Sequence, residues 1–225
     1  MLLNIATILD PDALNDVRSA LKTIQWRNGS KTAGSSARPV KKNLQADLNG
    51  DDGAALHDRL MDALQSNSVL QAAARPKHFS RLIVSRTKGG GRYGAHIDNA
   101  LMHSSTGRIR TDLAFSLFLS APESYDGGEL VVQYPGFEQR FKPNAGDLIL
   151  YPSTQIHEVK PVTKGERFVC VGWIESLVRS PEHRETLFDL TNLSVSISSQ
   201  YAPESSEILT LHKSISNLVR LWASP

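Results

Sequence analysis

Cysteine is nearly missing from this chain: Cys170 stands alone among 225 residues, so no internal disulfide can form. That usage predicts a reducing setting, the cytoplasm. An excess of charge of one sign is missing too. Set against each other, 25 Lys and Arg and 23 Asp and Glu leave +2, which calls for neither nucleic acid nor an anionic membrane as partner. No apolar run approaches the roughly 20 residues that cross a bilayer. The opening Met1-Leu2-Leu3-Asn4-Ile5-Ala6 has neither a basic n-region nor a small-residue cleavage site, and no signal peptide is expected there. Internal repeats and low-complexity tracts are absent. What is present, 40% hydrophobic and 21% charged residues, is ordinary for one soluble domain, with or without a small helical appendage.

Asp10-Pro11 is a cap-plus-proline helix start, and Leu14, Val17, Leu21 and Ile24 follow on one helical face. From Arg27 to Asn43 the chain turns polar, with Gly29, Ser30, Gly34, Ser35, Ser36 and Pro39. A loop of that length predicts a lid or binding segment, here bordering the active-site mouth and touching the substrate. A second helix is expected from about Gly53 to Ala74. After Pro76 short strands are expected at Phe79–Arg86, Asp112–Ala121, Gly128–Tyr134, Phe137–Lys142, Asp147–Tyr151, Ile156–Val162 and Arg167–Ile174. Turn signals separate them, among them Asp126-Gly127-Gly128, Pro135-Gly136 and Thr163-Lys164-Gly165. This pattern predicts a β-sandwich or jelly roll. Ser180-Pro181 then starts a further helix. A closing stripe of Ile208, Leu211, Ile215, Leu218 and Trp222 wants a partner, whether the jelly roll, the preceding helix or a second copy of the chain.

Chemistry concentrates in four residues. In a strand, residues two apart point the same way, so His96 and Asp98 can bind one ion together. His157 supplies a second imidazole once the intervening strands return the chain to the same place. Two imidazoles and a carboxylate suit Fe(II) and leave three coordination positions open. Arg167, ten positions beyond His157, offers a guanidinium to the far carboxylate of an α-keto acid through two parallel hydrogen bonds. Such a site would take 2-oxoglutarate as co-substrate and O₂ in the last position. Each of these residues alone is uninformative; the ordered set on expected strands carries the reading. His57, His78, His103, His183 and His212 show no matching pattern, and Cys170 alternates into the strand as a core residue.

At this point the chain resembles a family, over nearly its whole length: the bacterial PKHD-type (prolyl/lysyl hydroxylase domain) Fe(II)/2-oxoglutarate dioxygenases. The resemblance rests on Thr32-Ala33-Gly34, Val40-Lys41-Lys42-Asn43-Leu44-Gln45, Gly94-Ala95-His96-Ile97-Asp98-Asn99-Ala100 and Arg110-Thr111-Asp112-Leu113. It continues through Tyr125-Asp126-Gly127-Gly128-Glu129-Leu130, Ala145-Gly146-Asp147-Leu148, Leu150-Tyr151-Pro152-Ser153, Phe188-Asp189-Leu190 and Asn217-Leu218-Val219-Arg220-Leu221-Trp222. It implies iron ligands His96, Asp98 and His157, 2-oxoglutarate on Arg167, and ascorbate to keep the iron ferrous. It also implies hydroxylation of a small-molecule or peptide substrate, prolyl, lysyl or amino-acid-like, with release of succinate and CO₂. The chain departs from the pattern at Arg86-Thr87, where the family commonly has Arg-Tyr. Thr87 is too short to make the hydrogen bond that a tyrosine near that position gives the co-substrate in related prolyl hydroxylases. Tyr93-Gly94 replaces Phe-Gly, a milder change.

The fold expected is α+β, a double-stranded β-helix (jelly roll) over 77–178. Residues 1–76 are its N-terminal helical support and 179–225 a C-terminal helical extension, packed on the core or forming a homodimer. Two other functions were weighed. A halogenase needs the position that Asp98 fills, and a metal-binding jelly-roll sensor or scaffold without turnover has no need of Arg167.

Overall fold

Leucines spaced three and four apart give the first half of the chain its helices. The computed structural model describes residues 1–32, 38–104 and 107–225. After β1 (Leu3–Ile5), α1 spans Pro11–Thr23, with the Asp10 carboxylate accepting from Ala13 N at 2.8 Å and Leu14, Val17 and Leu21 buried. The helix expected over 53–74 is two helices, α2 (Asp51–Ser66) and α3 (Ser68–Ala74). Asn67 leaves helical geometry between them, and its side chain accepts from Leu70 N at 2.9 Å, capping the second piece. Apolar spacing runs on through both pieces, which hides the break from periodicity.

The polar stretch 27–43 is not all loop. It holds part of β2 (Trp26–Asn28), short 3₁₀ turns at Gly29–Thr32 and Arg38–Val40, and β3 (Lys41–Lys42); 33–37 lie outside the described residues. Next comes β4 (Leu44–Ala46). The strand expected over 79–86 is also two, β5 (Pro76–Phe79) and β6 (Ile83–Lys88). Then follow β7 (Gly91–His96), β8 (Leu101–Ser104), β9 (Gly107–Arg110), β10 (Leu113–Phe118), β11 (Tyr125–Gly127), β12 (Leu130–Tyr134), β13 (Phe137–Phe141) and β14 (Leu148–Pro152).

The longest strand is β15 (His157–Ser176), and it organises the jelly roll. Its first half pairs antiparallel with β7 and β12, and its second half with β6, β10 and β5. One strand therefore passes through both sheets. Thr163-Lys164-Gly165, expected as a turn, lies inside it. Gly165 has φ +70°, and a Cβ there would sit 2.2 Å from Ser124 O, so glycine lets the strand bend beside β11 without leaving its ladder. The larger sheet runs β1-β14-β10-β15-β6-β4-β2, so the N-terminal segment contributes strands as well as helices.

Alternation along β10 and β14 divides the core. Leu113, Phe115, Leu117, Leu148 and Leu150 face α1–α3, while Ala114, Phe118, Ile149 and Tyr151 face the jelly-roll interior with Leu130, Val132 and Val169. Cys170 is fully buried on the helix side. After β15, α4 (Pro181–Ile197) packs on α3, and α5 (Ser206–Trp222) packs on α4. Of the apolar stripe, Ile208 is buried and Leu211, Ile215, Leu218 and Trp222 are half-buried, with Trp222 stacked on His183 of α4 at 4.0 Å.

Candidate active site

Register brings the two imidazoles together. His96 ends β7 and His157 opens β15, and the two are direct cross-strand partners with ring centroids 4.3 Å apart. Asp98 lies beyond the end of β7 rather than on it, so the strand spacing expected to align it with His96 does not apply. The side chains still alternate: Ile97 is 57% exposed, and Asp98 turns back inward. Asp98 Oδ1 is 4.0 Å from His96 Nε2 and 3.8 Å from His157 Nε2, with the side chains of all three buried. Among the described residues this is a group whose ligand atoms all lie within 4.8 Å of one another.

Hydrogen bonds fix which atoms face inward. His96 Nδ1 lies 2.8 Å from Gly94 O, and His157 Nδ1 lies 3.0 Å from Gln155 O. A carbonyl only accepts, so each Nδ1 carries the proton and each Nε2 presents a lone pair toward Asp98. Burial first, then the neighbouring His157, holds His96 down to about 4, so it stays neutral. Burial pushes the Asp98 carboxyl up, opposed by His157, by the Trp173 indole N–H and by Lys41. Asp98 Oδ2 and Trp173 Nε1 are both buried without a partner at hydrogen-bonding geometry. Three lone-pair donors aimed at one point repel each other unless a cation sits among them. An ion about 2.0–2.2 Å from each fits this set after small adjustment.

The same cleft, about 990 Å³ counted to its open mouth, holds Arg167. This side chain is 1% exposed and makes no ion pair among the described residues, and its Nε and Nη2 have no hydrogen-bond partner. Its guanidinium lies 4.9 Å from the Phe118 ring centroid, and the Tyr125 phenol is directed to it. Burial lowers its pKa, yet a guanidinium stays charged. Thr87, singled out in the sequence as too short, is buried directly across the ladder from Arg167.

Several lining residues carried no sequence signal of their own. Tyr93 stacks on His96 at 3.7 Å, and Tyr151 meets His157 edge-on at 5.1 Å. Burial pushes Tyr93 up to about 12 and Tyr151 higher still, so both phenols keep their protons. Lys41 and Asn43 also line the cleft, so the end of the polar stretch does border it. Tyr125 and Tyr151 lay within stretches that carried the family resemblance, which was the available pointer to them. Of the other histidines, His57 pairs with Asp58, His183 with Trp222 and His212 with Ser194. His78 is exposed, and the side chain of His103 is outside the described residues.

Fold and site together define an oxygenase that combines iron with a keto acid, and residues 82–175 match the 2OG-Fe(II) oxygenase superfamily. A PKHD-type hydroxylase of Hyphomonas neptunium is 46% identical over 219 residues, covering 97% of this chain and 98% of the relative. One from Synechococcus elongatus is 42% identical over 223 residues, covering 99% and 100%. The chain belongs to the PKHD-type hydroxylases, and is a 2-oxoglutarate-dependent oxidoreductase. A prolyl hydroxylase from Trichoplax adhaerens, solved with a peptide fragment of the hypoxia inducible factor oxygen degradation domain, shares the fold. Its TM-score is 0.55 at 17% identity, covering 83% of this chain and 86% of that one.

Proposed function

We propose that this chain hydroxylates a C–H bond of a small-molecule or peptide substrate, with His96, Asp98 and His157 holding Fe(II) and Arg167 holding the C5 carboxylate of 2-oxoglutarate. One observation carries the reading: a fully buried arginine without an ion pair among the described residues, in the same cleft as three converging metal donors. A buried cation needs an anion, and a simple metal-binding scaffold has no use for one there. Asp98 also occupies the position a halogenase would leave to halide.

Bound iron supplies O₂ activation coupled to decarboxylation of 2-oxoglutarate, giving hydroxylated substrate, succinate and CO₂. The chain's own residues do the positioning. The Gly94 and Gln155 carbonyls lock both imidazoles with Nε2 inward. The Trp173 indole helps keep Asp98 ionised. Arg167, with Tyr125 and Thr87 around it, sets the depth at which a five-carbon keto acid stops. Phe118, Leu130 and Val169 close the interior against water. A reductant such as ascorbate and a reducing cytoplasm are consistent with ferrous chemistry.

The test is succinate formation from 2-oxoglutarate with Fe(II) and O₂, screened over amino acids, peptides and cell extracts. In His157→Ala, stoichiometric metal and succinate formation are expected to disappear together. A variant that keeps one tight metal and turns over refutes the ligand assignment.

A further inference from the structure

The cleft draws its formal charge from three side chains. Of the described residues lining it, Lys41, Asp98 and Arg167 are charged and the two histidines are neutral. Segments 33–37 and 105–106 contain no acidic residue. On the function proposed above, on which this inference rests, divalent iron and dianionic 2-oxoglutarate cancel, and Asp98 cancels Arg167. The loaded cleft keeps one positive charge, carried by Lys41.

Lys41 is held in place by the fold. On β3 it is the cross-strand partner of Tyr93, with its ammonium 4.9 Å from the Tyr93 ring centroid. Tyr93 in turn stacks on His96, so ammonium, phenol and ligand imidazole form a short column at the metal end of the cleft. Gly94 permits this closeness, since a Cβ there would come within 2.9 Å of Val40 Cβ. Arg167, by contrast, is enclosed by Tyr125, Thr87 and Phe118.

We propose that Lys41 receives a carboxylate of the molecule to be oxidised, so that the substrate is recognised through a single negative charge beside the metal. A carboxylate brings one charge, whereas a phosphate monoester brings close to two and overshoots. A charge-assisted hydrogen bond at this point also orients the substrate, selecting which C–H faces the ion. A small organic acid and an acidic polypeptide segment share this chemistry.

The test uses wild-type protein carrying Zn(II) and N-oxalylglycine, an amide analogue of 2-oxoglutarate. It is reductively alkylated with anionic glyoxylate or with neutral acetaldehyde, and each lysine is read by peptide mass spectrometry. Exposed Lys42, next in the same strand, is the reference. The glyoxylate-to-acetaldehyde ratio at Lys41 is expected to exceed that at Lys42 by roughly tenfold or more, the effect of one charge-assisted bond. Equal ratios, or a Lys41 that neither reagent reaches, overturn the proposal. Preloading with N-acetylglycine or with an N-acetylated aspartyl peptide amide separates the sources: protection by the first alone assigns a small acid, by the second alone a polypeptide carboxylate. Equal protection by their uncharged amide counterparts overturns the anion requirement. Calorimetry of N-oxalylglycine on the Zn(II) protein reports on the underlying reading by itself. Absence of binding refutes that reading, whereas binding without the Lys41 preference refutes this inference alone.

Discussion

Arg167 is the residue on which function turns, because nothing else in the described chain explains a buried guanidinium with two unsatisfied nitrogens. Losing a charge-assisted pair in such a site costs about 2–5 kcal/mol of binding. Arg167→Ala is therefore expected to raise the 2-oxoglutarate requirement by about 30-fold or more while iron still binds, which a titration of succinate formation measures. Unchanged dependence would move the anchor elsewhere. Cys170 gives a second check at this scale. Burial pushes its thiol up to about 12. The folded chain then holds a proton that the unfolded chain releases above about pH 9, so this group's stabilisation is present below that pH and is lost as pH rises toward 12. At pH 8 the native protein is expected to leave a disulfide-exchange dye unreacted, and to react with it fully once unfolded by denaturant. The four residues first singled out were legible because chelation and carboxylate binding demand particular residue types in a particular order. Lys41, Tyr93, Tyr125, Tyr151 and Trp173 were not legible as site residues. They are common residue types, and only the folded sheets turn them toward one cleft.

Elements were legible where their pattern was long. α1, with a capped start and four apolar residues on one face, is where the sequence placed it. The strands over 113–118, 130–134 and 137–141 lie within their expected spans, and the strand expected over 147–151 runs from 148 to 152. Three-residue strands such as β1, β2 and β4 are too short to show a period of two, and their pairing with distant strands forms them. The bend in β15 looked like a turn because Gly165 is a turn residue in both contexts. Asn67 misled in the opposite way, ending one helix and capping the next within a continuous apolar stripe. Removing that cap in Asn67→Ala is expected to cost about 1 kcal/mol. Thermal melting should show a Tm lower by roughly 2–4 °C in a chain of this size. An unchanged melt would mean that packing of Leu70, Ala73 and Ala74 alone sets the break.

At the scale of the whole molecule, a near-neutral chain with no described helix long and apolar enough to cross a membrane keeps its charge where it acts. One strand joins the two ends of the site: β15 opens with His157 and carries Arg167 ten residues later, past β12 and β11 and into the ladder with β6. Metal and keto acid are thus held by one continuous backbone, and their spacing is a property of the fold rather than of a loop. The direct test is an anaerobic titration of the purified protein with Fe(II), then 2-oxoglutarate, followed by visible absorption. A weak charge-transfer band is expected only when both are present, in wild type and not in His157→Ala, and shifted to higher 2-oxoglutarate concentration in Arg167→Ala. No band from the wild-type protein at saturating Fe(II) and 2-oxoglutarate would contradict the account.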